Sequence, residues 1–227
     1  MPRLRHALFC AASLLALSGG ATAASMITFD EPGLSNGDNL SGQSGLATSG
    51  SAVTYSVSDT SGTLDAFVFD TTPGVNPADT DLFATFDDPT TAMVEMFDPG
   101  NILVLGTING SGEVNDSASG GSIDITFSQA VSTFSINLYD TGDSGSSGVT
   151  VFADGVSLGT FGGGLGDNEF GVFTFGPAIG TISRITLDGS GGFDNLQFTA
   201  VPAPATLTLL GIGLVGAGVI GRRRRSR

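Results

Sequence analysis

A two-residue alternation of apolar and polar side chains constrains this chain more than any other feature. In Phe127-Ser-Gln-Ala-Val-Ser-Thr-Phe-Ser-Ile-Asn-Leu-Tyr139, residues Phe134, Ile136 and Leu138 share one face and Thr133, Ser135 and Asn137 the other. Successive side chains point to opposite sides only in a strand, so this run predicts a strand with one face buried. Similar runs occur at Ala52–Ser56, Leu64–Phe69, Ser122–Phe127, Val131–Tyr139, Val149–Phe152, Phe170–Phe175 and Ile182–Leu187. Clusters of Gly, Asp, Asn and Ser separate them, as in 140–148, and such clusters form turns. No amphipathic helix of useful length interrupts the pattern. The expectation is an all-β chain with a single β-sandwich or jelly-roll-like domain over residues 25–199. The Gly/Ser-rich stretch Ser41–Ser51 reads as a long loop inside that domain, because Met26–Phe29 before it is too short to fold alone.

The two ends of the chain follow other rules. Arg3, Arg5 and His6 precede an uncharged apolar run, Ala7–Leu17, and Ala21 and Ala23 then supply an A-x-A cleavage site. This order predicts a signal peptide over residues 1–24. The alternative, an N-terminal membrane anchor, asks a short apolar run to span a bilayer. Cys10 follows the bulky Phe9, which excludes a lipoprotein attachment site. At the other end, 203–221 carries no charge and Arg222, Arg223, Arg224 and Arg225 follow at once. A helix over 203–221 would be about 28 Å long, close to the ~30 Å core of a bilayer. The arginines of the basic tail 222–227 belong on the cytoplasmic side, as does the basic N-terminus, so everything between should lie across the inner membrane. Gly211, Gly213, Gly216, Ala217, Gly218 and Gly221 give this transmembrane helix a smooth surface on which another helix can pack closely. A helix presented to a membrane enzyme and a simple tail anchor both fit.

Val201, Pro202, Ala203, Pro204, Ala205 and Thr206, followed by the glycine-rich span and the arginine cluster, resemble the PEP-CTERM sorting signal, here covering 200–227. Ala203 stands where that family usually has an acidic residue. The resemblance implies cutting near the Pro-x-Pro motif by exosortase, a membrane protease, with export across the inner membrane, transient anchoring there, and release or transfer to the cell surface or exterior. Pro202 and Pro204 favour an extended backbone, the form a protease binds. The body of the chain is similar to a jelly-roll-like module of exported proteins. The similarity runs through Phe69-Asp70, Asp79-Thr-Asp81-Leu82, Gly100-Asn-Ile-Leu-Val104 and Asp116-Ser-Ala-Ser-Gly-Gly121, and closes on Gly192-Phe-Asp-Asn-Leu-Gln-Phe198.

Charge narrows the function. All 22 acidic residues lie between Asp30 and Asp194, with Arg184 as the single basic residue among them, for a net charge of −21 in this region. Nucleic-acid binding needs Lys and Arg to neutralise phosphate, so it is excluded as a partner; anionic lipid headgroups are repelled as well. The region has neither Cys nor His. That removes disulfides, Ser-His-Asp and Cys-His catalysis, and ordinary zinc sites.

Cations should be attracted, and Ca²⁺ is the expected cofactor if there is one. The first candidate set is Asp30 and Glu31, which close the first strand in Ile27–Glu31, together with Asp194 in the last. Carbohydrate-binding jelly rolls, which this arrangement resembles, often tie their first and last strands through a structural calcium. The second set is Asp79 with Asp81, joined by Asp70. Calcium takes six to eight oxygen ligands from carboxylates and carbonyls. Ordinary strand-end and turn acids explain the same residues. The leading expectation is a non-enzymatic surface or extracellular-matrix protein, associated with biofilm or exopolysaccharide and sorted by exosortase. A calcium-dependent carbohydrate-binding module and a polysaccharide-active enzyme remain as alternatives. With so many acids, a pair spaced like glycosidase carboxylates carries no information, and Trp is absent where a sugar platform would want it.

Overall fold

A computed structural model describes residues 24–48, 53–59, 64–77, 82, 99–142 and 148–201. Twelve strands form one continuous hydrogen-bonded sheet, and the structure among these residues is all-β apart from one 3₁₀ turn at Pro177–Ile179. The strands are β1 (Ala24–Ile27), β2 (Ser44–Ala47), β3 (Thr54–Asp59), β4 (Asp65–Asp70), β5 (Asn101–Ile108), β6 (Val114–Asp116), β7 (Gly121–Tyr139), β8 (Val149–Ala153), β9 (Val156–Phe161), β10 (Phe170–Phe175), β11 (Thr181–Gly189) and β12 (Gly192–Ala200).

Strand β7 is the spine. Its first half pairs β3 on one side and β11 on the other, through Val57↔Ile125 and Ile185↔Ile125. Its second half pairs β10 and β12, through Phe173↔Ile136 and Phe193↔Leu138. The runs predicted separately at Ser122–Phe127 and Val131–Tyr139 are therefore one strand. Between them β7 bulges, since its five residue steps from Thr126 to Val131 face only two on β11, from Arg184 to Ile182, and just beyond Thr133 takes a left-handed φ of 47°. A bulge bends its strand and sharpens the local twist, which lets one strand serve two sets of neighbours. Outward from the spine the ladder runs β4-β5-β12-β7-β11-β8-β9.

Buried side chains from both halves of β7, including Ile123, Ile125, Phe134, Ile136 and Leu138, belong to one core with Ile27, Tyr55, Val68, Leu103, Val151, Leu187, Phe193 and Phe198. Phe134 stacks on Phe175 with ring centroids 4.4 Å apart. Strands β4 and β5 are buried on both faces, because Phe67, Phe69, Ile102 and Val104 join Tyr139, Phe170, Leu82 and Val114 in a second cluster.

Two local expectations change. The stretch Ser41–Ser51 contains strand β2, paired with β3, so Gly45 sits in a strand rather than a featureless loop. Strand β1 ends at Ile27, and Asp30 and Glu31 lie in the turn beyond it instead of closing the strand.

Candidate metal centre and sorting tail

The edge of β12 is shared by two strands. Strand β5 pairs its start, Gly192↔Val104 and Phe193↔Leu103, and β1 pairs its later part, Ile27↔Leu196 to Ala24↔Thr199. Asp194 and Asn195 fall in the gap between these two ladders. The chain leaving β1 and the chain starting β5 both reach this gap. Asp30 Oδ1 accepts the backbone N–H of Asn101 at 2.9 Å, and Asn101 Nδ2 donates to the Phe29 carbonyl at 3.3 Å.

Two residues here hold left-handed backbones, Phe29 at φ 55° and Asn195 at φ 49°. Asparagine tolerates that region, whereas for a buried phenylalanine it is strained and persists only where the surroundings enforce it. Phe29 is anchored by an edge contact with Tyr55 at 6.4 Å. Gly100, at φ +74°, lies so close that an added Cβ would sit 2.8 Å from Asp30 Oδ1. The first turn and β5 are thus packed tightly around a carboxylate.

Asp194 is 1 % exposed, and neither of its carboxylate oxygens has a hydrogen-bond partner. Burial pushes its pKa up to about 9; the adjacent Asn195 backbone N–H acts the other way, and the negative charges of Asp30 and Glu31 add to the rise. Glu31 Oε1 accepts the Thr28 backbone N–H at 3.2 Å, while its Oε2 is buried without a partner. Burial, with the neighbouring Asp30, raises that carboxyl too. The Tyr55 hydroxyl is likewise buried and unpartnered, and it is raised by burial and by Glu31. Tyr139, held by a 3.1 Å bond from Asn137 Nδ2, is raised by burial and by Asp194.

Burying an unsatisfied carboxylate costs several kcal/mol, and native structures rarely leave one. The unpartnered side-chain atoms here are all oxygens, which suits a hard cation such as Ca²⁺. The residues present therefore fit the implied ion. Among the described residues no three His, Cys, Asp or Glu side chains are grouped as a metal site, so an ion here would take the rest of its shell from backbone carbonyls.

The other candidates fare differently. Asp79 and Asp81 lie outside the described residues. Asp70 Oδ1 accepts the Thr72 backbone N–H at 2.8 Å, the bond of a turn-forming aspartate. Sequence reasoning missed an amide pair, half-buried Asn36 and buried Asn76, whose side chains bond each other at 3.0 and 2.8 Å. Asn76 Oδ1 also accepts Val114 N–H, and Asn76 Nδ2 donates to the Asp70 carbonyl, which bolts 71–77 to β4 and β6. An asparagine in a Gly/Pro-rich stretch looks like any turn residue, so no pattern flagged it.

Near the C-terminus, Val201 is the last described residue, and its N–H donates to the Ala130 carbonyl at 2.9 Å. Pro202, Ala203, Pro204, Ala205, Thr206, the predicted helix 203–221 and Arg222–Arg225 lie outside the described residues, as do Ala21 and Ala23. Among the described residues no helix is long and apolar enough to cross a membrane. A comparison with curated proteins finds no match. Residues 200–225 match the family model of the PEP-CTERM protein-sorting motif, so the β-rich body ends in a tail that marks it for exosortase-dependent sorting, with export and transient anchoring through the C-terminal region.

Proposed function

We propose that the protein is a non-enzymatic component of the cell surface or extracellular matrix, whose β domain reaches that place through its sorting tail. The observation that carries the reading is the direct join between the domain and the motif. Strand β12 ends at Ala200, Val201 still bonds Ala130, and Pro202 follows. The cargo of the sorting system is thus the β domain itself, without an intervening module. We read that domain as a jelly-roll-like sandwich, closed by the bend in β7 that brings the two halves of the sheet into one core.

Two shallow concavities, of about 150 and 190 Å³, are lined by residues such as Thr133, Ser135 and Gln197, and Ser44, Thr54 and Thr126, with no carboxylate in either. The large apolar side chains exposed among the described residues are Val75, Ile108, Val156 and Val172, all aliphatic.

Calcium fits this role as a structural ion. Held between Asp194 and the Asp30–Glu31 turn, it would tie β1 to β12 and offset buried like charge. Signal-peptide removal near Ala24 and loss of the tail complete the maturation.

Mass spectrometry of surface and extracellular material tests the sorting. The expected result is coverage of the β domain with no peptide from Leu207–Ile220, and replacement of Arg222–Arg225 by Ser should leave the tail uncut. An intact tail in the extracellular fraction would overturn the reading in favour of a permanent anchor.

A further inference from the structure

The acidic residues of this domain are not spread over its surface. The first described residue, Ala24, pairs with Thr199, and Ala200 and Thr199 pair with Val131 and Ser132. Thr181 and Ile182 pair with the same two residues, Ser132 and Val131, from the other side. Thr54 donates its backbone N–H to Ser128 Oγ at 2.9 Å, and Ala47 pairs with Thr54. Both ends of the described stretch 24–201, the 128–133 bend, the paired ends of β2 and β3 at Ala47 and Thr54, and the β10–β11 turn therefore meet at one pole of the domain.

Every segment that reaches this pole is free of charge. No Asp, Glu, Lys or Arg occurs in 24–29, 39–58, 125–139, 170–183 or 195–201. Ala24, Ala47, Gln129, Ala130, Gly176, Ala178, Gly180 and Thr181 are exposed there, all small or neutral. In a region carrying one basic and 22 acidic residues, such a gap across five separate segments is a property of the folded surface, not of local composition.

We propose that this uncharged pole is the face laid against the outer headgroup layer of the inner membrane while the chain is still anchored by its tail. The inference rests on the anchoring reading and adds an orientation to it. Two arguments commit the pole to lipid. The chain leaves the domain here: Val201 is held by Ala130, and the uncharged span begins two residues later, a reach of about 7 Å at most. The tether is thus too short to let this pole swing away from the bilayer. The second argument is electrostatic. Carboxylates near anionic headgroups are repelled, and the repulsion fades over a Debye length of about 8 Å. Asp124 pairs with Thr186, four residues along β11 from the Ile182 that faces Val131, a distance of roughly 13 Å. Asp154 lies nearer, at the border of the pole, because its carboxylate bonds Ser183, the neighbour of Ile182. It stays ionised, since its carboxylate accepts the Ser183 and Arg184 backbone N–H groups, and the nearby Arg184 charge offsets it. Asp154 apart, the acids paired along β7 and β11, Asp124 and Asp188, sit beyond screening distance when this pole touches the surface.

The test uses the signal-free chain with its tail intact, reconstituted without exosortase in vesicles of 70 % zwitterionic and 30 % anionic phospholipid. Single environment-sensitive labels are placed at the pole, at Ala130→Cys or Ala178→Cys, and at the far end, at Ala118→Cys. Headgroup spin-labelled lipid should quench both pole labels at least twofold and leave the Ala118 label unchanged. A Gln129→Asp/Ala178→Asp/Thr181→Asp chain, labelled at Ala130→Cys, should lose most of that quenching. Equal quenching at the three label sites overturns the orientation, as does quenching at none of them in protein that sediments with the vesicles, the result expected if the pole serves the protease instead of lipid. Protein that fails to sediment overturns the anchoring reading itself, and the orientation with it. The single-cysteine arms decide the matter even if the triple-aspartate chain does not fold.

Discussion

At Asp194 the fold places a carboxyl that its surroundings cannot satisfy, and this makes it the most informative side chain in the molecule. In metal-free protein its folded pKa of about 9 lies far above the ~3.9 of an unfolded aspartate. The folded form then holds one more proton than the unfolded form between those values, so stability falls as pH climbs from about 4 towards 9. In chelator the domain should melt higher at pH 5 than at pH 8. Asp194→Asn removes the titrating group and should flatten that dependence, raising the pH 8 melting temperature without calcium while abolishing the gain calcium gives. An Asn variant that melts below wild type in chelator at pH 8 would show that the carboxylate has a partner of its own. Gly100 makes a second test. A methyl group there meets the Asp30 carboxylate and imposes a side chain on a left-handed backbone. Gly100→Ala should cost about 1–3 kcal/mol in urea unfolding, whereas at Gly110, where a Cβ meets nothing within 4 Å, the same change should cost little.

Among the elements, β1 has the largest consequence for its length. Four residues pair with β12 alone, yet they fill half of its edge and lead the chain into the Asp30–Glu31 turn. Ile27 is fully buried, so Ile27→Ala should cost about 2–5 kcal/mol. Removing residues 24–27 should cost more than that substitution and should also shrink the calcium-dependent shift. A truncated chain with the wild-type calcium response would separate β1 from the metal centre. The strands were legible where one face meets solvent, as in β7, β10 and β11, because alternation survives there. Strand β5 was not recognised from its pattern: Ile102, Leu103, Val104 and Leu105 are all buried, and a strand covered on both faces loses its period-two signature.

For the molecule as a whole, the competing terms are like-charge repulsion and core burial. With a net charge of −21 between Asp30 and Asp194, the compact state works against itself. A ligand that binds only the folded form adds about 2.7 kcal/mol at a hundredfold excess over its Kd. For a domain of this size that corresponds to a rise in melting temperature of roughly 5–10 °C. Calcium should produce it and magnesium at equal ionic strength should not, since magnesium demands a smaller, stricter octahedron. Equal melting curves in calcium, magnesium and chelator would leave the acids as turn-formers and surface charge.

The sequence by itself determined the all-β class, the sorting tail and the acidic character of the domain, because periodicity, an ordered motif and net charge are properties of the chain read in one dimension. It also named Asp30, Glu31 and Asp194 as a candidate set, since they stand at opposite ends of the domain. Only the tertiary structure decided that Asp194 is buried without a partner. Burial depends on which strands cover β12, and a gap between two ladders is invisible to any local window. The uncharged pole has the same origin: five neutral stretches far apart in the chain become one surface only when pairing across β7 and β12 brings their ends together.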